Sequence, residues 1–503
     1  MPLRVVVTTT CLGVALIFFG AYGTVAKASK RGDVGGPTNL AKTFAGIEGT
    51  ARYLHSDWGY DVLDQTSGKV LAAQNDQKMF DPGSTMKIYS VSTALKAYGP
   101  SYRFRPAAAT RGGATTASAA TLGASHRSAA TQAAAIVAIA RAGMKAHHLK
   151  AVIVRVTVNG KPVVTKALGT SMTGVPATPA MHFRNGAVAI SYMSTLLMEY
   201  VDEHKVSLSD KVARWLPTLP DANRVTLKML ANMTSGYPDY VPNNTLIAEV
   251  YADPFRTFTG RQLLAIAFSR PMAFPPGTNW GYAHTNYVIL GQILEKIGGK
   301  PLATLLRHKV LDPLGLTNTV ASQNATIPSP VLHAFTSERR SFLGISPRTP
   351  FYEESTYWNP SWTLAPGSVE TTNIYDLTKT AEGIGSGELL SKSSYQAQTG
   401  PHLLGFGRDV PGCTDLVCIK QVNRYNYGLG IVRSGSWLLQ NPLFAGYGAT
   451  EAYLPSKKIA IAVAVTFDPQ AFNAQGTEPN SSMQLFQAIG AYLAPHDAPP
   501  AQT

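Results

Sequence analysis

Short alternating runs, each closed by a turn, predict the β structure of this chain. Near the N-terminus, Tyr60-Asp61-Val62-Leu63 and Lys69-Val70-Leu71-Ala72 flank Asp64-Gln65-Thr66-Ser67-Gly68, a hairpin pattern. Two further strands, 152–158 and 163–168, bracket the Asn159-Gly160 turn. Near the C-terminus, runs at 427–432, 436–439, 450–454 and 459–467 read as successive antiparallel strands. Helical spacing predicts helices at 84–98, 133–146, 188–205, 286–298, 302–310 and 483–493. The first lies between Pro82-Gly83 and Gly99-Pro100. Helices at both ends with a meander between them imply an α+β domain, an antiparallel sheet covered by helices.

The remaining segments connect or tether. Residues 1–28 carry an early Arg4, an apolar run and Ala26-Lys27-Ala28, the layout of a secretory signal. The run is long enough to be an uncleaved membrane anchor instead. Either way the bulk of the chain is expected outside the cytoplasm, secreted or held at the envelope. Residues 29–52 read as a tether, 53–105 as an N-terminal segment, and 106–131, rich in Ala, Thr, Ser and Gly, as a linker. A main domain over 132–494 and a disordered tail at 495–503 complete the division.

Composition changes this picture at two points. The 44 Lys and Arg exceed the 30 Asp and Glu, yet thirteen of the former and none of the latter fall between Pro82 and Met198. The rest of the chain is nearly neutral. In a secreted chain such a segment suits an anionic envelope polymer or lipid, and nucleic acid is not an expected partner. The three cysteines agree with that compartment. Cys11 sits inside the apolar run, which leaves Cys413 and Cys418 in one loop. A local disulfide is the simplest pairing in an oxidising compartment, and a metal site would need two more ligands. No metal or other cofactor is expected.

Candidate chemistry begins with Ser84-Thr85-Met86-Lys87, which puts a hydroxyl and an amine one helical turn apart. With Phe80-Asp81-Pro82-Gly83 before it and Tyr98-Gly99-Pro100 after, this segment resembles the opening of penicillin-binding D-alanyl-D-alanine carboxypeptidases. From 132 to 494 the chain resembles class C β-lactamases and their carboxypeptidase and esterase kin. The resemblance rests on Phe183-Arg184-Asn185-Gly186, Thr234-Ser235-Gly236-Tyr237-Pro238-Asp239-Tyr240, Pro276-Gly277-Thr278, Asp312-Pro313-Leu314-Gly315-Leu316 and Pro366-Gly367-Ser368. It implies a β-lactamase/transpeptidase-like α+β fold with an all-helical part, and a serine hydrolase acting on cell-wall peptides, β-lactams or small esters and amides.

Three motifs of that family map onto this chain with changes. The Ser-x-x-Lys expected after Phe-Arg-x-Gly reads Ala187-Val188-Ala189-Ile190, with neither nucleophile nor base. Tyr-x-Asn becomes Tyr282-Ala283-His284. The basic-small-Gly triplet of the substrate-binding edge strand aligns with Gly446-Tyr447-Gly448, without its cation. Two functions follow as expectations. One is a hydrolase with Ser84 and Lys87 supplied to a cleft lined by Tyr282 and His284. The other is an inactive binding or regulatory protein on the same fold. Ser235 reads as part of a structural turn.

Overall fold

The computed structural model describes residues 39–50, 60–63, 67, 70–74, 119–321, 324–411, 413 and 418–501. The chain divides into two units at Thr115 and Thr116. Residues 1–28, Ser84, Lys87 and the helix expected over 84–98 lie outside the described residues.

In the first unit, strands Tyr60–Leu63 and Val70–Gln74 pair as the expected antiparallel hairpin. A helix, Asn39–Glu48, occupies part of the stretch read as a tether. It has something to pack on: the Phe44 ring lies 4.5 Å from that of Tyr60, and Gln74 Nε2 donates to Glu48 at 3.0 Å.

The second unit is built on a nine-stranded sheet. Its strands are β1 Leu149–Val158, β2 Lys161–Met172, β3 Val175–Pro176, β4 Asn426–Tyr427, β5 Val432–Ser434, β6 Trp437–Gln440, β7 Leu443–Phe444, β8 Tyr447–Leu454 and β9 Ile459–Phe467. The order is β4-β5-β6-β8-β9-β1-β2-β3, with β7 paired to β8, so the two ends of the domain meet where β9 pairs with β1. Every residue of β8 and β9 is buried, because helices cover both faces. Thr450 bonds Ser482 of the Ser481–Leu493 helix at 2.9 Å. Tyr453, three residues on and therefore on the other face, packs with Ala381 of the Ile374–Ser386 helix.

Two expectations are corrected. A continuous helix runs over Ala119–Ala146, so residues 119–131 are not a linker. Alanine has the highest helix propensity, and it outweighs the Ser, Thr and Gly that suggested a coil. The tail is docked rather than disordered up to residue 501. Trp437 Nε1 donates to the Asp497 carbonyl at 2.7 Å, Gln487 Nε2 to that of Pro500 at 2.8 Å, and Lys457 pairs with Asp497. The acid-free stretch does not present all its charges to solvent either. Arg184 is buried, and Lys150 and Arg155 lie over the rings of Phe335 and Tyr375.

Glu451 of β8 carries a carboxyl into the core, and burial pushes it from an ordinary 4.5 up to about 8. Between those values the folded chain holds a proton that the unfolded chain releases, so this group's contribution to stability falls as pH rises across the window. In urea denaturation at pH 5 and pH 8, Glu451→Gln is expected to lose less stability over the interval than the wild type. Equal losses would refute the assignment.

Candidate functional site

Four chain segments build the site. The pair Phe183–Arg184 bonds antiparallel to Thr371–Thr372, and Arg184 donates to Thr371 Oγ1 and the Ala325 carbonyl, each at 2.7 Å. The Asn185 N–H then donates to the Glu370 carbonyl at 2.9 Å. Gly186 turns the chain with φ of +42°, and the Val188–Asp202 helix begins behind it. Ala187 is the half-buried residue at that helix start and Ile190 is completely buried. Both serines of the helix are engaged, Ser191 donating to the Val188 carbonyl and Ser194 to that of Leu429.

The second segment is the approach to the Thr285–Gly298 helix. Ser235 donates to Asn286 Oδ1 at 2.5 Å and accepts from the Tyr237 N–H, while Thr285 donates to the Pro238 carbonyl at 2.6 Å. Ser235 is thus a buried member of a turn. These bonds staple the third segment, 234–240, to the helix start and set Asp239 beneath His284. The carboxylate, 7% exposed, accepts from the His284 backbone N–H at 3.0 Å and from Nδ1 at 3.1 and 3.2 Å. With the Nδ1 proton held there, Nε2 is the basic nitrogen.

Tyr282 sits edge-on to His284, ring centroids 5.1 Å apart, and faces Tyr427 at 6.3 Å. Burial first, then Tyr425, Asp239 and Tyr287, raises its phenol well above the usual value. Tyr282 is therefore a hydrogen-bond donor at neutral pH. Glu370 joins the helix start to this pair. Its carboxyl accepts from Thr363 and Ser368 and is pushed up to about 7 by burial, against the lowering influence of those bonds, Arg184 and His284.

The fourth segment, Gly446-Tyr447-Gly448, is buried throughout. Gly446 has φ of +86°, and a Cβ there would collide with the Phe335 carbonyl. Tyr447 donates its hydroxyl to the Leu332 carbonyl at 2.5 Å.

Beside Tyr282 opens a cavity of about 330 Å3, walled by Pro238, Met272, Phe274 and Pro411, with Asp239 and Arg270 in its lining. Cys413 and Cys418 form a disulfide, Cα atoms 5.5 Å apart. Both pack with Phe274, and Cys418 presses against Gly281, so the disulfide braces the segment that carries Tyr282.

Of the residues expected from sequence, the structure brings Tyr282 and His284 together. Ser84 and Lys87 fall outside the described residues, and no three His, Cys, Asp or Glu among the described residues converge to hold a metal. Asp239 and Arg270 were not anticipated. His284 in place of an amide was a signal for Asp239, since a half-buried imidazole needs a partner for its proton. Arg270 lies in a stretch without motif.

The "Beta-lactamase" family model matches residues 136–480. Among curated proteins, penicillin-binding protein 4 of Amycolatopsis lactamdurans is 31% identical over 171 residues, 32% of this chain and 40% of that protein. A putative D-alanyl-D-alanine carboxypeptidase of Escherichia coli K12 is 27% identical over 134 residues, 25% of this chain and 30% of that protein. The matched region thus spans less than half of those relatives. Among solved structures, the D-amino acid amidase of Ochrobactrum anthropi SV3 superposes with a TM-score of 0.58 at 18% identity, covering 72% of this chain and 99% of that one. That likeness is one of fold.

Proposed function

The chain belongs to the β-lactamase family, and on that premise we propose that its main domain recognises D-amino-acid amides or short peptides without forming an acyl-enzyme on the Val188–Asp202 helix. The names of its relatives, D-alanyl-D-alanine carboxypeptidase and D-amino acid amidase, support the ligand class. One observation carries the rest: Ala187 and a fully buried Ile190 stand where a serine and a lysine would have to act. Alanine has no nucleophile and isoleucine takes no proton. What remains around the cleft, the Tyr282 donor and the Asp239–His284 pair, binds and orients.

A second reading is favoured by Ser84-Thr85-Met86-Lys87, the one intact Ser-x-x-Lys that resembles a penicillin-binding motif. In it, acylation takes place on Ser84. Full-length protein incubated with a fluorescent penicillin, then analysed by intact mass and peptide mapping, separates the two. The expected result is binding that dilution reverses and no adduct anywhere in 119–501. An adduct in that range overturns the proposal, and one on Ser84, lost in Ser84→Ala, establishes the second reading. An extracytoplasmic location belongs to the same proposal, supported by the apolar run within 5–26 and the Cys413–Cys418 disulfide. Cell fractionation checks it, and recovery in the cytosol would count against it.

A further inference from the structure

We infer that the cavity beside Tyr282 is a site for a ligand with an apolar body and a free carboxylate, and that Arg270 is the carboxylate's anchor. The inference rests on the reading of the domain as a non-covalent recognition module and names the ligand chemistry of that cleft.

The volume comes first. About 330 Å3 lies at the lower end of the roughly 300–1,000 Å3 typical of small-molecule sites, enough for one N-acylated amino acid. The walls come second. Pro238, Pro242, Pro271, Met272, Phe274 and Pro411 give an apolar lining that would strip water from a strongly hydrated dianion at high cost, which favours a carboxylate on a hydrocarbon frame.

The polar groups then decide the sign of charge. Among the described residues Asp239 is the one carboxylate of the lining, and it is turned to His284, which occupies both of its oxygens. Arg270 donates one N–H to the Asp239 carbonyl and has no carboxylate partner among the described residues. Its remaining N–H groups suit the paired oxygens of a carboxylate, the geometry in which guanidinium binds best. Tyr282 belongs to the same lining, and its phenol is a neutral donor.

There is also a reason for the cation to stand here. Position 446, where the aligned motif places a basic residue, admits no side chain because the Phe335 backbone fills the space. A carboxylate ligand must find its cation on another element, and among the described residues the lining offers Arg270.

The test compares Nα-acetyl-D-phenylalanine with its primary amide by titration calorimetry on the full chain at pH 7. The acid is expected to bind about tenfold tighter than the amide, a gap of about 1.4 kcal/mol. Arg270→Gln should abolish the preference while leaving amide affinity and thermal unfolding in place, and Arg270→Lys should retain part of it. Equal binding of acid and amide by the wild type overturns the inference, as does a preference that survives in Arg270→Gln. If the penicillin probe binds but neither phenylalanine derivative does, this inference fails alone. If nothing binds, the recognition reading fails with it.

Discussion

Ile190→Lys is expected to lower the free energy of unfolding by about 3–5 kcal/mol, the cost of an uncompensated charge in a core, whereas Ala187→Ser should change it by no more than about 0.5 kcal/mol. The two substitutions would install the two halves of a Ser-x-x-Lys, and their costs differ because the positions do. Ala187 is half-buried at the helix start, where an added hydroxyl is not sealed from solvent and displaces no existing bond, the Val188, Ala189 and Ile190 N–H groups already donating to the Asn185, Gly186 and Ala187 carbonyls. Ile190 is sealed. Gly430 closes over its turn so tightly that a Cβ there would stand 3.1 Å from the Ile190 carbonyl and 2.6 Å from the Tyr287 hydroxyl. That loop is itself held, Gly430 donating to the Ala231 carbonyl and accepting from Gln440 Nε2.

A lysine forced into that space either keeps its charge or surrenders its proton. In the second case the unfolded chain binds more protons than the folded one below the ordinary lysine pKa of about 10.4, so stability rises with pH. Urea denaturation at pH 6 and pH 9 should therefore show the larger deficit at pH 6. A loss under about 1 kcal/mol, the same at both pH values, would mean that the slot still accommodates a cation. The burial of residue 190 would then no longer count against a lysine there, and the recognition reading would rest on Ala187 alone.

How much of this was legible beforehand depends on the range of the interactions. The β1 and β9 strands announce themselves through their runs rich in Val, Ile and Ala, and the helix ending at Gly298 through its periodicity and Gly299, left-handed at φ of +66°. The Cys413–Cys418 pairing needed only two cysteines five residues apart in one loop. The misses have physical reasons. Residues 119–131 look like coil because Ser, Thr and Gly dilute alanine there, and local composition decided against them. The docking of 495–501 depends on acceptors offered to Trp437 and Gln487, far away in sequence.

The site followed the same rule. Tyr282 and His284 were visible as a changed motif, but their meaning turns on Asp239, 45 residues earlier, and on Ile190, whose burial no pattern declares. Arg270 is one of 44 basic residues until the fold sets it in the wall of a cavity.

Gly446→Lys, which would place a cation in the edge-strand triplet, should destabilise the domain by at least about 3 kcal/mol, and Gly446→Ala by nearly as much. Two costs add. The backbone φ of +86° is one that side-chain-bearing residues adopt at a penalty of about 1 kcal/mol or more. The Cβ would also overlap the carbonyl of Phe335, and neither partner is free to retreat. Phe335–Thr336 pairs with Glu353–Glu354 and the Phe335 ring stacks on Tyr352 at 4.9 Å. On the other side, Tyr447 continues into a strand paired from end to end with β9. Gly160→Ala is the control that separates the terms, since its φ of +72° is comparable and a Cβ there meets nothing within 4 Å. Urea denaturation of the two alanine variants should show Gly446→Ala the costlier by about 2 kcal/mol. A difference below about 0.5 kcal/mol would mean that the Phe335 segment yields and that a cation at 446 is sterically open. If the gap is found, the glycine is fixed by packing. The charge that a carboxylate ligand requires then has to come from another element, the role the proposal gives to Arg270 in the cavity lining.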